Sequence, residues 1–127
     1  MHTIQQLSTM KAEHDYWQNR IKFYREEIKQ FNGNLSTVVQ QFDKPNLMPH
    51  VEHFQNQFIV QKNNIDEISH TINVDEDAIQ KIADKNHKTE DHRKNEGHNK
   101  EKESVVSFEK NFNELRNEFN KFAARLM

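Results

Sequence analysis

Residues 7–42 read LSTMKAEHDYWQNRIKFYREEIKQFNGNLSTVVQQF, and the spacing of their apolar side chains indicates a helical fold. Apolar or aromatic residues recur in alternating steps of three and four, with one histidine among them. The members are Leu7, Met10, His14, Trp17, Ile21, Tyr24, Ile28, Phe31, Leu35, Val38 and Phe42. This spacing places side chains along one side of an α-helix. Because it continues for five heptads, it predicts one long helix over about residues 3–42.

The tripeptide Asn32-Gly33-Asn34 is the one feature of this stretch that argues against a single helix. Such a sequence can form the turn of a hairpin. However, the apolar spacing passes from Phe31 to Leu35 without a change of phase, which a turn would reset. We therefore predict a continuous helix, weakened by about 1 kcal/mol at Gly33.

The same spacing occurs twice more along the chain. The second series is Leu47, Val51, Phe54, Phe58, Gln61, Ile65, Ile68, Ile72, Asp75, Ile79 and Ile82, and the third is Val105, Phe108, Phe112, Leu115, Phe119, Phe122 and Leu126. These series predict helices over about residues 47–90 and 99–126. A charged connection falls at about residues 84–103, with Gly97 as the residue expected to end a helix there.

Composition excludes several other classes of protein. The chain has 127 residues, of which 33% are hydrophobic, and it contains only two glycines and two prolines. Two glycines and two prolines are too few for the turns of an all-β fold, and two glycines are too few for a glycine-rich phosphate loop. The absence of cysteine excludes disulfides, cysteine zinc sites and thiol catalysis. We predict an all-α fold in a single domain spanning residues 1–127.

The predicted architecture is an antiparallel, up-down-up bundle of three long helices with heptad packing of the coiled-coil type. A short connection near residues 43–46 makes the first two helices neighbours, so residue i of the first faces about residue 89 − i of the second. Phe31 then meets Phe58, and Trp17 meets Ile72.

Charge and hydropathy lead to expectations about location and partners. No apolar run is long enough to span a membrane, and no signal peptide is visible, so we expect a cytoplasmic protein. The net charge of −2 and the isolated basic cluster of Arg20, Lys22 and Arg25 predict no nucleic-acid or membrane partner.

The tip of the predicted hairpin is expected to carry an apolar interface. With the last turn placed near residues 92–97, the third helix would end before it reached this tip. The patch left uncovered would consist of Phe31, Leu35, Val38, Phe42, Val51 and Phe54. Contiguous apolar patches usually mark interfaces, so we expect a homodimer or binding to another protein through the tip.

Polar residues at predicted core positions are the principal candidates for function. His14 faces Asp75 under the pairing rule, Glu76 lies next to Asp75, and Gln61 is polar as well. We interpret His14, Gln61 and Asp75 as buried polar positions that fix register, with no cofactor bound. The alternative is a metal-binding carboxylate–histidine bundle in which His14, Asp75 and Glu76 are the candidate ligands. A carboxylate beside a buried histidine is expected to raise the pKa of its imidazole.

Other histidines and serines give weaker signals. His50, His53 and Gln57 share one face near the start of the second helix, and His87, Asp91, His92 and His98 lie in the charged segment. We interpret both groups as solvated surface. Ser36, Ser104 and Ser107 pair with no base, so we expect no enzymatic activity.

The segments VEHFQNQFIVQK at residues 51–62 and FEKNFNELRNEF at residues 108–119 resemble segments of small bacterial coiled-coil and helical-bundle proteins. The resemblance covers about a third of the chain. It implies a helical fold, but it implies no particular activity. The sequence therefore favours a non-enzymatic interaction or structural module that associates with itself, with metal binding at His14 and Asp75 as the alternative.

Overall fold

A computed structural model describes residues 4–42, 45–85 and 91–126, and the side chains of residues 7–42, 45–81 and 97–126. It contains the three helices α1 (Ile4–Gln41), α2 (Met48–Lys85) and α3 (Asp91–Leu126), packed against one another as an all-α bundle. No described helix is long and apolar enough to cross a membrane.

Helix α1 is continuous through Gly33, as the unbroken spacing predicted. All ten members of the first series from Leu7 to Val38 are buried, and Phe42 is half-buried. Continuity follows from packing, because each turn of α1 buries an apolar side chain on the same side.

In the contacts between α1 and α2, the residue number on α2 falls as the residue number on α1 rises. The rings of Phe31 and Phe58 stack at 5.6 Å, and His14 approaches Asp75 at 3.4 Å. Between α1 and α3, partner numbers instead rise together, since Arg20 binds Glu109 and Arg116 binds Glu27. The pairing of residue i with residue 89 − i thus places His14 and Asp75 at one level.

Helix α3 begins earlier than the sequence indicated. Gly97 was expected to end a helix, and this is wrong, because Gly97 lies inside α3. A β-carbon at Gly97 would meet no atom within 4 Å, so the helix passes there without a close approach that requires glycine. The acid–base pair Glu96 and Lys100 has the spacing that favours helix. The residues between Lys85 and Asp91 lie outside the described part of the chain.

The early start of α3 carries its other end to the hairpin tip, and the expectation of an uncovered tip is wrong. Phe119 packs 5.2 Å from Phe54, and Phe122 packs 5.0 Å from the same ring. Five of the six patch residues are consequently buried within the chain and Phe42 is half-buried, the patch being Phe31, Leu35, Val38, Phe42, Val51 and Phe54. The prediction put the turn at residues 92–97, but α3 already begins at Asp91. The predicted α3 was therefore too short to reach the tip.

A candidate metal centre between the three helices

A cluster of histidines and carboxylates interrupts the apolar core. On one side lies the main core, which starts at Trp17, and on the other lies a small cluster of Leu7, Met10 and Ile79. Every helix contributes, with Glu13 and His14 from α1, Asp75 and Glu76 from α2, and His98 and Glu101 from α3. The site is therefore built by tertiary packing and not by one local motif.

His14 lies at the centre of the cluster and is 1% exposed. Its Nδ1 atom is 2.5 Å from Oε2 of Glu76. Its Nε2 atom is 2.9 Å from Oε2 of Glu101 and 3.4 Å from Oδ2 of Asp75. Three carboxylates from two helices thus surround one imidazole.

This environment changes the pKa of His14 strongly. Burial lowers the pKa, but hydrogen bonds to Asp75, Glu101 and Glu76 raise it by more, to about 10. Both ring nitrogens therefore carry protons at neutral pH when the side chains of the cluster interact only with one another.

His98 is the second buried histidine, and its ring centroid lies 5.0 Å from that of His14. Nε2 of His98 is 3.3 Å from Oε1 of Glu13, and Nδ1 is 3.9 Å from Oε2 of Glu101. Neither nitrogen makes a hydrogen bond with the part of the chain that the structure describes. Buried polar atoms are nearly always hydrogen-bonded. His98 is only 4% exposed and makes no such bond with the described residues, which indicates that its ring can bind a further ligand.

Four side chains hold possible ligand atoms close to one another. One nitrogen each from His14 and His98 and one oxygen each from Asp75 and Glu101 all lie within 4.8 Å of one another. His98 and Glu101 are three residues apart on α3, a spacing that puts both on one side of the helix. Imidazole and carboxylate groups gathered in this way can coordinate a metal ion.

Trp17 covers the side of the cluster that adjoins the main core. Its ring centroid lies 5.5 Å from that of His14 and 5.0 Å from that of His98. It is the one tryptophan of the chain, so its fluorescence reports on this site alone.

A groove between α2 and α3 connects the cluster with solvent. Its volume is about 1050 Å³, and its lining includes Asp75 and Glu101 together with Gly97, Ile68 and Phe108. Because the two carboxylates line the groove and the two histidines do not, a cation arriving through it would meet the oxygens first.

The structure brings together His14, Asp75 and Glu76, the three residues that the sequence offered as metal ligands. Gln61 is buried on α2 but lies fourteen positions before Asp75, about 21 Å along the helix. It therefore belongs to a different level of the bundle and not to this cluster.

Sequence reasoning missed the contribution of α3. The apolar series does not include Glu101, and the charged composition around His98 predicts only a solvated segment. The signal was present, since steps of four and three back from Val105 arrive at Glu101 and then His98. These two residues are polar, so a series restricted to apolar residues begins only at Val105.

The remaining histidine candidates do not join the cluster. His53 is exposed and pairs with Glu118 at 2.7 Å, whereas His50 faces the ring of Phe122 at 5.7 Å. Gln57, from the same predicted face, is half-buried on α2. The side chains of His87, Asp91 and His92 lie outside the described part of the structure.

Comparisons with family models, with curated proteins and with solved structures find no match for the chain. The resemblance of residues 51–62 and 108–119 to small bacterial helical proteins gains no support from them.

Proposed function

We propose that this protein binds one divalent transition-metal ion between its three helices. The ligands are His14, Asp75, His98 and Glu101. The observation that carries the proposal is the buried His98, whose ring nitrogens make no hydrogen bond with described residues although they lie beside His14 and Glu101. A metal ion bound to one of those nitrogens accounts for an imidazole that burial alone would disfavour.

Charge supports a cation at this position. Asp75, Glu76 and Glu101 have three formal negative charges around His14, whose imidazolium has one positive charge. Burying an excess of one sign is unfavourable unless a counter-charge is close. A divalent cation supplies that counter-charge at the centre of the cluster.

The ligand atoms indicate which cations fit. Ca²⁺ and Mg²⁺ prefer sites made of oxygen, and soft ions prefer thiolates, which a chain without cysteine lacks. Two imidazole nitrogens with two carboxylate oxygens suit borderline ions such as Zn²⁺, Co²⁺ and Fe²⁺.

The separations of the ligand atoms agree with one shared ion. Atoms bound at about 2.0–2.2 Å to one ion lie roughly 2.8–4.4 Å from each other, in tetrahedral or octahedral geometry. Nε2 of His14 is 2.9 Å from Glu101 and 3.4 Å from Asp75, and the whole set lies within 4.8 Å. Side-chain rotation would then bring the four atoms to bonding distance.

Titration of metal-free protein with Co²⁺ and Zn²⁺ tests the proposal. Calorimetry should give one ion per chain, and Co²⁺ should quench Trp17, whose ring adjoins both histidines. We expect His98→Ala to weaken binding at least tenfold. His53→Ala, which alters a surface pair with Glu118, is the matched control and should bind as the wild-type protein does.

Two outcomes would contradict metal binding. One is the absence of stoichiometric binding by the wild-type chain, and the other is equal affinity in His98→Ala. A fully helical protein without affinity for metal would favour the other function considered from sequence, a non-enzymatic interaction or structural module. The cluster would then serve only to fix the register of the helices.

A further inference from the structure

We propose that Glu76 and Glu13 are positioning residues of this metal site. Each is assigned to hold the proton of one histidine on the ring nitrogen that faces away from the ion. The inference rests on the proposed function, because it assigns the roles of two residues around the same ion.

The geometry around His14 assigns Glu76. Nδ1 of His14 is 2.5 Å from Glu76, whereas Nε2 faces Glu101 at 2.9 Å and Asp75 at 3.4 Å. The lone pairs of the two ring nitrogens diverge, so one ion cannot be bound by both. The ion therefore binds Nε2, where the other ligands gather, and Glu76 accepts the hydrogen bond from Nδ1.

The geometry around His98 gives the reverse assignment. Nδ1 of His98 lies on the side of Glu101, at 3.9 Å, and Nε2 lies 3.3 Å from Glu13. Coordination through Nδ1 leaves the proton on Nε2, the nitrogen that lies within ion-pair distance of Glu13. The two histidines thus use different nitrogens, and each has its own carboxylate on the opposite side of the ring.

Such carboxylate–histidine–metal arrangements fix the tautomer and orientation of the ring and increase its basicity as a ligand. Glu76 and Glu13 come from different helices, so they also hold the two rings against rotation from independent directions. Neither carboxylate belongs to the four groups whose ligand atoms converge within 4.8 Å, which is consistent with a supporting role.

Metal affinity of charge-neutral variants tests the assignment. Zinc is the probe, because it allows NMR of the loaded protein. We expect Glu76→Gln and Glu13→Gln each to weaken zinc binding about 10- to 100-fold, the usual effect of losing such a partner. Asp77→Asn and Asp15→Asn remove the same charge from exposed neighbours on the same helices and should change affinity less than about twofold.

Nitrogen-15 NMR of the zinc-loaded wild-type chain supplies a readout that a purely structural role would not change. The expected tautomers are Nδ1–H for His14 and Nε2–H for His98. The opposite tautomer at either ring, or glutamine variants that bind zinc like their controls, would overturn the assignment. A wild-type chain that binds no zinc would instead overturn the proposed function itself.

Discussion

At the scale of single residues, His14 shows how a polar side chain is kept in an apolar core. Burial disfavours its charged form, but Glu76 and Glu101 accept hydrogen bonds from its two nitrogens. The sequence predicted that a carboxylate would raise the pKa of this imidazole, and the pKa is raised to about 10. The charges that surround His14 come from α2 and α3, which makes the protonation of His14 a measure of tertiary structure.

The stability of the metal-free protein should therefore depend on pH. The pKa of His14 is about 10 in the folded chain and 6.5 as its ordinary value, so folding favours the protonated ring. This stabilisation is complete below pH 6.5 and is lost as the pH rises through 10. We expect the free energy of unfolding to fall by about 1 kcal/mol per pH unit between pH 7 and 9.

Urea unfolding in the presence of a chelator at pH 7, 8 and 9 measures this dependence. The groups that face the ring from other helices are Asp75, Glu76, His98 and Glu101. His14→Gln is the control and should give a flatter profile. A wild-type profile that is already flat over this range would contradict the expectation.

At the scale of elements, α3 differs most from its sequence-based description. Its first turns are rich in charge, yet they are helical. The buried contacts of His98 and Glu101 in the cluster hold this part of α3 against the other two helices. Farther along, Arg116 binds Glu27, and Tyr24 donates a hydrogen bond of 2.9 Å to Glu109. Polar groups therefore attach α3 to α1 along much of its length.

Both glycines of the chain lie inside helices, so alanine should stabilise the protein at either position. A β-carbon at Gly33 or Gly97 would meet no atom within 4 Å. We expect Gly33→Ala and Gly97→Ala each to raise the free energy of unfolding by about 0.5–1 kcal/mol, measured in urea. Ala12→Gly, at an exposed position of α1, is the matched control and should lower it by a similar amount. Destabilisation by alanine would show that the backbone at that glycine is not regular helix.

At the scale of the whole molecule, the cluster separates the main core from the Leu7, Met10 and Ile79 contacts. A bound ion would join all three helices at this boundary. Ligands that bind only the folded chain stabilise it in proportion to the logarithm of their concentration.

Zinc should therefore raise the melting temperature. At a free concentration of about one hundred times Kd, the stabilisation is about 2.7 kcal/mol. For a chain of this size we expect a rise of roughly 10 °C, measured by circular dichroism. His98→Ala should show little rise under the same conditions, and magnesium should produce none in the wild-type protein. Equal shifts with magnesium and zinc would argue against a site of mixed nitrogen and oxygen ligands.

The covered hairpin tip leads to a prediction about assembly. Phe54 is 2% exposed and contacts Phe119 and Phe122 of the same chain. We expect Phe54→Ala to lower the free energy of unfolding by about 3–5 kcal/mol without changing the molar mass measured by light scattering. A wild-type dimer that Phe54→Ala converts to a monomer would instead show that the tip is an interface between chains.

Apolar spacing alone predicts the all-α class and the core-facing side of α1, of α2 and of α3 from Val105 onward. It could do so because helix periodicity is local, and steps of three and four can be counted without knowing the neighbours. The same spacing identified His14 and Asp75 as members of the core-facing series before any contact was known.

The start of α3, and the residues of α3 that lie against His14, follow only from the packing of the three helices. The first part of α3 is highly charged, and its helical structure depends on contacts with the other two helices. Those contacts join residues that are far apart in the sequence. Glu101 lies 87 positions from His14, yet their side chains are 2.9 Å apart. Distances of that kind follow from the relative placement of whole helices, which local spacing does not contain.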